Sequence, residues 1–211
     1  MKIIPSLLVH SQNEFEERIG RVKNFVSHIH IDVADGIFVP NTTWADADAI
    51  DALLPNTMTY EAHFMVVDPL RACARWAHAS KMTQMIFHVE TIHHIRELID
   101  SVRRMKKEIV IACNPETPIE KIQKTARLID GILMMGVHPG FSAQAFEENI
   151  LEKIRTLRVQ YPALPITVDG GVSEETALLL KEAGATALVS ANYLFSQPDI
   201  GKAIKKLQHA S

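Results

Sequence analysis

Eight short apolar runs, each followed by an amphipathic or helix-capped segment, recur along the chain, and this alternation constrains the fold more than any other feature. The runs lie at 3–8, 29–33, 58–65, 85–89, 109–113, 131–137, 165–168 and 187–190. Short continuous apolar runs read as strands buried on both faces. Between them, Ser11 and Glu14 match a capping box, and Phe15, Ile19, Val22 and Val26 follow at helical spacing, which predicts a helix over 12–26. A weaker helix is expected near 45–54, and Asp68-Pro69 supplies a cap and a first-turn proline for the next. Further helices are expected over 92–105, after a capping box at Thr117–Glu120, over 147–160, from Ser173 to Gly184, and over 198–208. Parallel strands need helical crossovers, so the alternation predicts an α/β fold with a parallel sheet. Eight units predict a single-domain (β/α)8 TIM barrel over residues 1–211. An open doubly wound sheet is the alternative, but its Gly-rich first turn has no counterpart in Pro5-Ser6-Leu7-Leu8.

Composition removes several function classes. Hydrophobic residues make up 47% and charged residues 22%, with a formal net charge of −3, which argues against nucleic-acid or membrane-surface binding driven by bulk charge. No apolar run is long enough to span a bilayer, and Met1–Pro5 leads straight into a strand-like run, so no cleavable signal is expected. The two cysteines, Cys73 and Cys113, have no metal-ligand spacing and fit reduced thiols in a cytoplasmic protein.

In such a barrel the C-terminal strand ends converge on one mouth. Residues two apart on a strand share a face, so His30 and Asp32 point together. Strand 1 adds Ser6, strand 3 His63 and strand 7 Asp169. Any one of these is more often a polar residue satisfied by a local hydrogen bond. Two imidazoles and two carboxylates at matching strand ends instead suggest one divalent metal ion, Zn, Fe(II), Mn or Co. His88, Glu90 and Asn114, also at strand ends, are read as pocket structure. His10, His28, His78, His93, His94 and His209 are expected on the solvated surface.

Ordered motifs make the pattern specific. Pro5-Ser6-Leu7-Leu8 is followed by His30-Ile31-Asp32-Val33-Ala34-Asp35-Gly36 and Phe38-Val39-Pro40-Asn41. His63-Phe64-Met65-Val66, Asn114-Pro115-Glu116-Thr117-Pro118, Val137-His138-Pro139-Gly140-Phe141 and Val168-Asp169-Gly170-Gly171 complete the set. In these blocks the chain resembles the ribulose-phosphate 3-epimerase family over nearly its full length. The resemblance implies a metal-dependent isomerase of the pentose phosphate pathway that inverts C3 of a phosphorylated ketose, most simply D-ribulose 5-phosphate to D-xylulose 5-phosphate. It implies that His30, Asp32, His63 and Asp169 bind the metal, and that Asp32 and Asp169 carry protons on opposite faces of a metal-stabilised enediolate. Ser6 would orient a carboxylate. Met65, Met135, His138, Gly140, Ala143, Gly170, Gly171, Ala191 and Asn192 would surround the small phosphorylated sugar. A homo-oligomer is the expected assembly.

The chain departs from that family at the phosphate end of the pocket. Ser142-Ala143-Gln144 stands where a Gly-Gly-Gln is usual, and Ala191-Asn192 follows Ser190 where Gly-Ser is usual. Ala34 replaces a methionine, with extra volume expected beside the metal, and Thr43-Trp44-Ala45-Asp46 replaces an apolar Gly-Pro stretch at the mouth. These changes keep two alternatives open. One is an epimerase for another ketose phosphate, such as D-allulose 6-phosphate. The other is a metal-binding, non-catalytic member with an altered phosphate loop. A decarboxylase on a related barrel is disfavoured, because no Lys lies near Asp32 or Asp35.

Overall fold

The computed structural model describes residues 1–141 and 143–210. Its eight apolar runs form β1 (Lys2–Leu7), β2 (His28–Ala34), β3 (Thr59–Met65), β4 (Met82–His88), β5 (Glu108–Cys113), β6 (Gly131–Met135), β7 (Ile166–Asp169) and β8 (Ala187–Ser190). Each pairs in parallel with the next, and β8 closes on β1, giving a closed barrel in sequence order. The crossovers carry α1 (Gln12–Val22), α2 (Ala47–Leu53), α3 (Pro69–Arg75), α4 (Ile95–Arg104), α5 (Glu120–Gln123), α6 (Ile150–Gln160) and α7 (Glu174–Ala183). After β8 come α8 (Asn192–Phe195) and α9 (Ile200–Ala210). The expected (β/α)8 TIM barrel is therefore the observed fold.

Sequence chemistry explains the helix starts. Ser11, Asp46, Asp68 and Ser173 each accept a backbone N–H three residues on, which satisfies an amide left over at a helix start. On α1, Phe15, Ile19 and Val22 are buried at helical spacing against the outer face of the sheet. Removing a side chain of this size from water stabilises by about 1.5–3 kcal/mol. Gly184 ends α7 with φ 110°, where a residue with a side chain is strained.

Three local expectations fail. The first helix ends at Val22, not at 26, because the Phe25 N–H turns to the Val22 carbonyl in a tighter, three-residue bond. The second capping box is not one: Thr117 Oγ1 donates to the Glu90 carboxylate, and the short α5 starts at Glu120 without a side-chain cap. The helix expected from 92 starts at Ile95, after a His94 that makes no side-chain cap.

Register positions the site. His30 lies between Ser6 on β1 and Glu61 on β3, Asp32 opposes His63, and Met135 opposes Asp169. Ile4, Ile86, Val110, Ala112, Leu133, Met135, Ala187 and Val189 form an apolar cluster separate from the larger one under the helices. Strand alternation assigns that cluster to the barrel interior. The same interior face on β2–β4 carries His30, Asp32, Glu61, His63 and His88, all buried. Buried ionisable groups are tolerated only when paired, so one half of the interior must be a connected polar network.

Gly136 follows β6 directly and lies against the end of β7. Its N–H donates to the Asp169 carbonyl at 2.7 Å, and an added Cβ would stand 2.3 Å from the Gly170 carbonyl oxygen. Backbone cannot swing aside as a flexible side chain can. Gly136→Ala is expected to cost about 1–3 kcal/mol, lowering the melting temperature by several degrees. A thermal melt that matches the unmutated protein would show that the turn relaxes freely.

Candidate active site

Four side chains converge at the C-terminal mouth. His30 Nε2 lies 3.3 Å from Asp32 Oδ1 and 3.7 Å from Asp169 Oδ2. His63 Nδ1 lies 3.1 Å from Asp32 Oδ1 and 3.6 Å from Asp169 Oδ2. One donor atom from each of the four falls within 4.8 Å of all the others. Ser6 Oγ donates to Asp32 Oδ2 at 2.6 Å, fixing that carboxylate from β1.

Burial and charge set opposite tendencies on the two carboxylates. Burial would raise the Asp32 carboxyl, but the flanking His30 and His63 imidazoles, His30 above all, outweigh it and hold the group well below the usual carboxylate range. Burial pushes the Asp169 carboxyl up to about 7; the His30 charge opposes this, while Asp32 and Glu61 add to it. The protein groups alone thus keep one carboxylate ionised and leave its neighbour able to hold a proton near neutral pH.

The donor set fits a divalent cation. His30 Nε2 is buried and without a hydrogen-bond partner, yet it points at two carboxylate oxygens. An orphaned imidazole nitrogen among oxygen donors is what a mixed nitrogen–oxygen metal site requires. These four residues could hold one metal ion.

Above them opens a cavity of about 340 Å³. Asp32 and Asp169 reach its floor, whereas His30 and His63 are fully buried and do not line it. Ser6, Met65, Met135, His138, Gly140, Ala143, Gly170, Gly171, Ala191 and Asn192 all line it, so every position singled out for substrate contact is brought together. His138 is at the rim, more than half exposed, 3.4 Å from Glu116.

The altered phosphate end divides into two cases. Ala191 has φ −104°, ordinary for any residue, so losing glycine there carries no backbone strain. Ala143 has φ 63°, in the left-handed region where a Cβ costs about 1–2 kcal/mol. Gln144 ties this loop by donating to the carbonyls of His138 and Phe141 at 2.6 and 2.9 Å. Ser142 lies outside the described residues. Gly171 cannot be replaced as Ala191 was: its φ is 67°, and an added Cβ would meet Phe146 at 2.8 Å.

Two expectations about the mouth are corrected. Ala34 leaves no extra room in the cavity; it is buried with Val39 and Met65, Phe38 packs against this group, and Ala34 is not part of the cavity lining. Nor does the 43–46 segment border the cavity. Thr43 Oγ1 accepts the Ala34 N–H, Trp44 packs on Phe15 with ring centroids 5.5 Å apart, and Asp46 caps α2.

The network behind the four residues was not foreseen. Glu61 is buried, 2.7 Å from His30 Nδ1 and 3.1 Å from His28 Nε2. His28 is therefore not on the solvated surface but wedged between Glu61 and Thr59. Alternation places Glu61 on the same face as His63, and that was the available signal. Its position opposite His30 depends on strand register, which spacing within one strand does not reveal.

Comparison with known proteins agrees with this geometry. Residues 2–195 match the model of the ribulose-phosphate 3 epimerase family. The ribulose-phosphate 3-epimerase of Chlamydia muridarum is 37% identical over 85% of this chain and 81% of its own length. That of Bacillus subtilis is 33% identical over 99% of this chain and 98% of its own. Among solved structures, 3-hexulose-6-phosphate synthase from Salmonella typhimurium superposes with a TM-score of 0.72 over 100% of this chain and 98% of its own at 14% identity, a likeness of fold alone. With its family match, two curated relatives above 30% identity and the barrel beneath both, the chain belongs to the ribulose-phosphate 3 epimerase family of isomerases.

Proposed function

We propose that the protein, acting as one barrel domain over residues 1–211, converts D-ribulose 5-phosphate to D-xylulose 5-phosphate by inverting C3. The observation that carries this reading is the pair Asp32 and Asp169, on strands β2 and β7, which bring two carboxylates to the floor of one cavity beside two buried imidazoles. Inversion beside a carbonyl requires removing a proton from one face and delivering another to the opposite face. One carboxylate serves as the base and the other as the acid, and the reverse reaction exchanges the roles. His30, Asp32, His63 and Asp169 would hold a divalent cation, which supplies Lewis-acid stabilisation to negative charge on substrate oxygens. Met65 and Met135 give the reacting carbons an apolar wall. Gly170, Gly171, Ala191 and Asn192, after β7 and β8, lie where barrels of this kind bind phosphate. A longer ketose phosphate is the less favoured substrate, since the space expected at Ala34 is packed.

A coupled epimerase assay on D-ribulose 5-phosphate, with chelator and then with Zn, Fe(II), Mn or Co restored, tests the proposal. Turnover is expected to fall to the level of an enzyme-free blank and to return with at least one of the four metals. Full activity in chelator after dialysis would sink the metal reading. Inactivity on this sugar despite a bound metal would sink the substrate assignment.

A further inference from the structure

We propose that Glu90, acting through His88, holds His63 in the one ring tautomer that can present Nδ1 to a cation. This rests on reading the four residues at the mouth as a metal centre. His63 turns Nδ1 toward Asp32 and Asp169, and its Nε2 lies 2.8 Å from His88 Nε2. Two imidazole nitrogens at that distance share one proton, so one donates and the other accepts. A ligating nitrogen uses its lone pair on the metal, so neutral His63 must carry its proton on Nε2. His63 Nε2 then donates to His88 Nε2, and the His88 proton sits on Nδ1, 3.2 Å from Glu90 Oε2. Glu90 Oε1 accepts the Asn114 N–H at 2.9 Å and the Thr117 hydroxyl.

With a cation on His63 Nδ1, the Asp32 carboxylate 3.1 Å away can no longer take a proton from that atom, so each link runs in a single direction, and the Glu90 carboxylate at the other end supports it. In the reversed chain, the His88 Nδ1 lone pair would face a carboxylate oxygen. His63 Nδ1 would carry the proton and could not ligate. Burial works to raise the Glu90 carboxyl, but bonds from His88, Thr117 and Asn114 hold it down at about 2, so it stays an acceptor. The His63 and His88 rings are fully buried and meet edge to edge, with centroids 5.0 Å apart and planes 24° apart, and the Phe38 ring lies 4.7 Å from His88. Solvent is thereby kept from substituting for either partner. Glu90 is a positioning residue: it acts on the metal ligand only through His88.

Glu90→Gln breaks this logic without changing shape. Its amide NH2 must face either His88 Nδ1–H or the fixed Asn114 N–H, a donor against a donor in both cases. The experiment strips the protein with chelator, titrates Zn(II) against a colorimetric competitor, and reads ring-nitrogen tautomers of the zinc-loaded protein by 15N NMR. Glu90→Gln is expected to weaken zinc binding about 10- to 100-fold. In a His88→Gln background an amide oxygen can accept from His63 with no tautomer to choose, and adding Glu90→Gln should cost less than about twofold. The spectrum of the unmutated protein should place the His88 proton on Nδ1. Equal losses in both backgrounds would overturn the relay in favour of a merely structural Glu90. A His88 proton on Nε2 in the zinc-loaded unmutated protein would overturn it too, and that reading does not depend on any variant folding. If the unmutated protein binds no zinc, the metal-centre reading fails first and the relay falls with it.

Discussion

Asp169→Asn and Asp32→Asn should each slow inversion at C3 by about a thousandfold or more, because each removes a proton carrier with no replacement in reach. The other titratable side chains lining the cavity are committed elsewhere: His138 lies 3.4 Å from Glu116, and Tyr193 donates to Glu174 at 2.7 Å. The two variants should differ in stability. Asp169 already favours its neutral form up to about pH 7, and an amide imitates that form, so Asp169→Asn should melt close to the unmutated protein. Asp32 is held ionised by the flanking imidazoles and accepts the Ser6 hydroxyl, so its amide removes a buried charge that the site is built around, at a cost of about 1–3 kcal/mol. Isotope exchange separates a two-carboxylate mechanism from a general loss of function. In heavy water, each variant should still exchange the C3 hydrogen of whichever epimer presents it to the remaining carboxylate. The two variants should therefore label different epimers. Near-normal inversion in either variant, or both labelling the same epimer while retaining metal, would refute the assignment.

The barrel was legible because its signal is periodic and repeated: each strand reads as an apolar run, and caps such as Ser173 with Gly184 bracket the helices between. Where only a few residues carry the signal, it failed. The four-residue α8 is too short for any period, and Thr117 carried the right letters for a cap while its hydroxyl was drawn to a buried carboxylate. The convergence of His30, Asp32, His63 and Asp169 followed from strand ends alone, since a closed parallel barrel brings those ends together whatever the register. What lies beneath them needed the register itself. Glu61 meets His30 only because β2 and β3 pair with those residues opposed, and Glu90 reaches His63 only through a ring on β4. Ala34 shows the same limit from the other side. A smaller residue predicted an opening, but the loop just after it, through Phe38 and Val39, and Met65 of the next strand filled it.

Glu61→Leu should destabilise the barrel by about 3–5 kcal/mol, the scale for removing one partner of a buried charged network. For a chain of this length that lowers the melting temperature by roughly 6–20 °C. Glu61 is almost completely buried and takes both His30 Nδ1 and His28 Nε2 on its two oxygens. Burial would raise its carboxyl, but these two imidazoles hold it down at about 2, so it is a charge that the interior keeps only because of them. Leucine fills most of the volume but leaves His30, which is wholly inaccessible to water, without an acceptor for Nδ1. Glu61→Gln is the informative control. Its carbonyl can still accept from His30, and its NH2 can donate to His28 Nε2 once His28 carries its proton on Nδ1 and donates to Thr59 Oγ1, now 2.8 Å away. That rearrangement is open to His28 because its other ring nitrogen faces a hydroxyl, which can donate or accept. The glutamine variant should therefore lose only about 1–2 kcal/mol, the cost of weaker, uncharged bonds. Equal losses for Leu and Gln would mean that the charge itself, not the satisfaction of two imidazoles, holds the lower barrel together. No loss with Leu would mean that His30 needs no partner behind it.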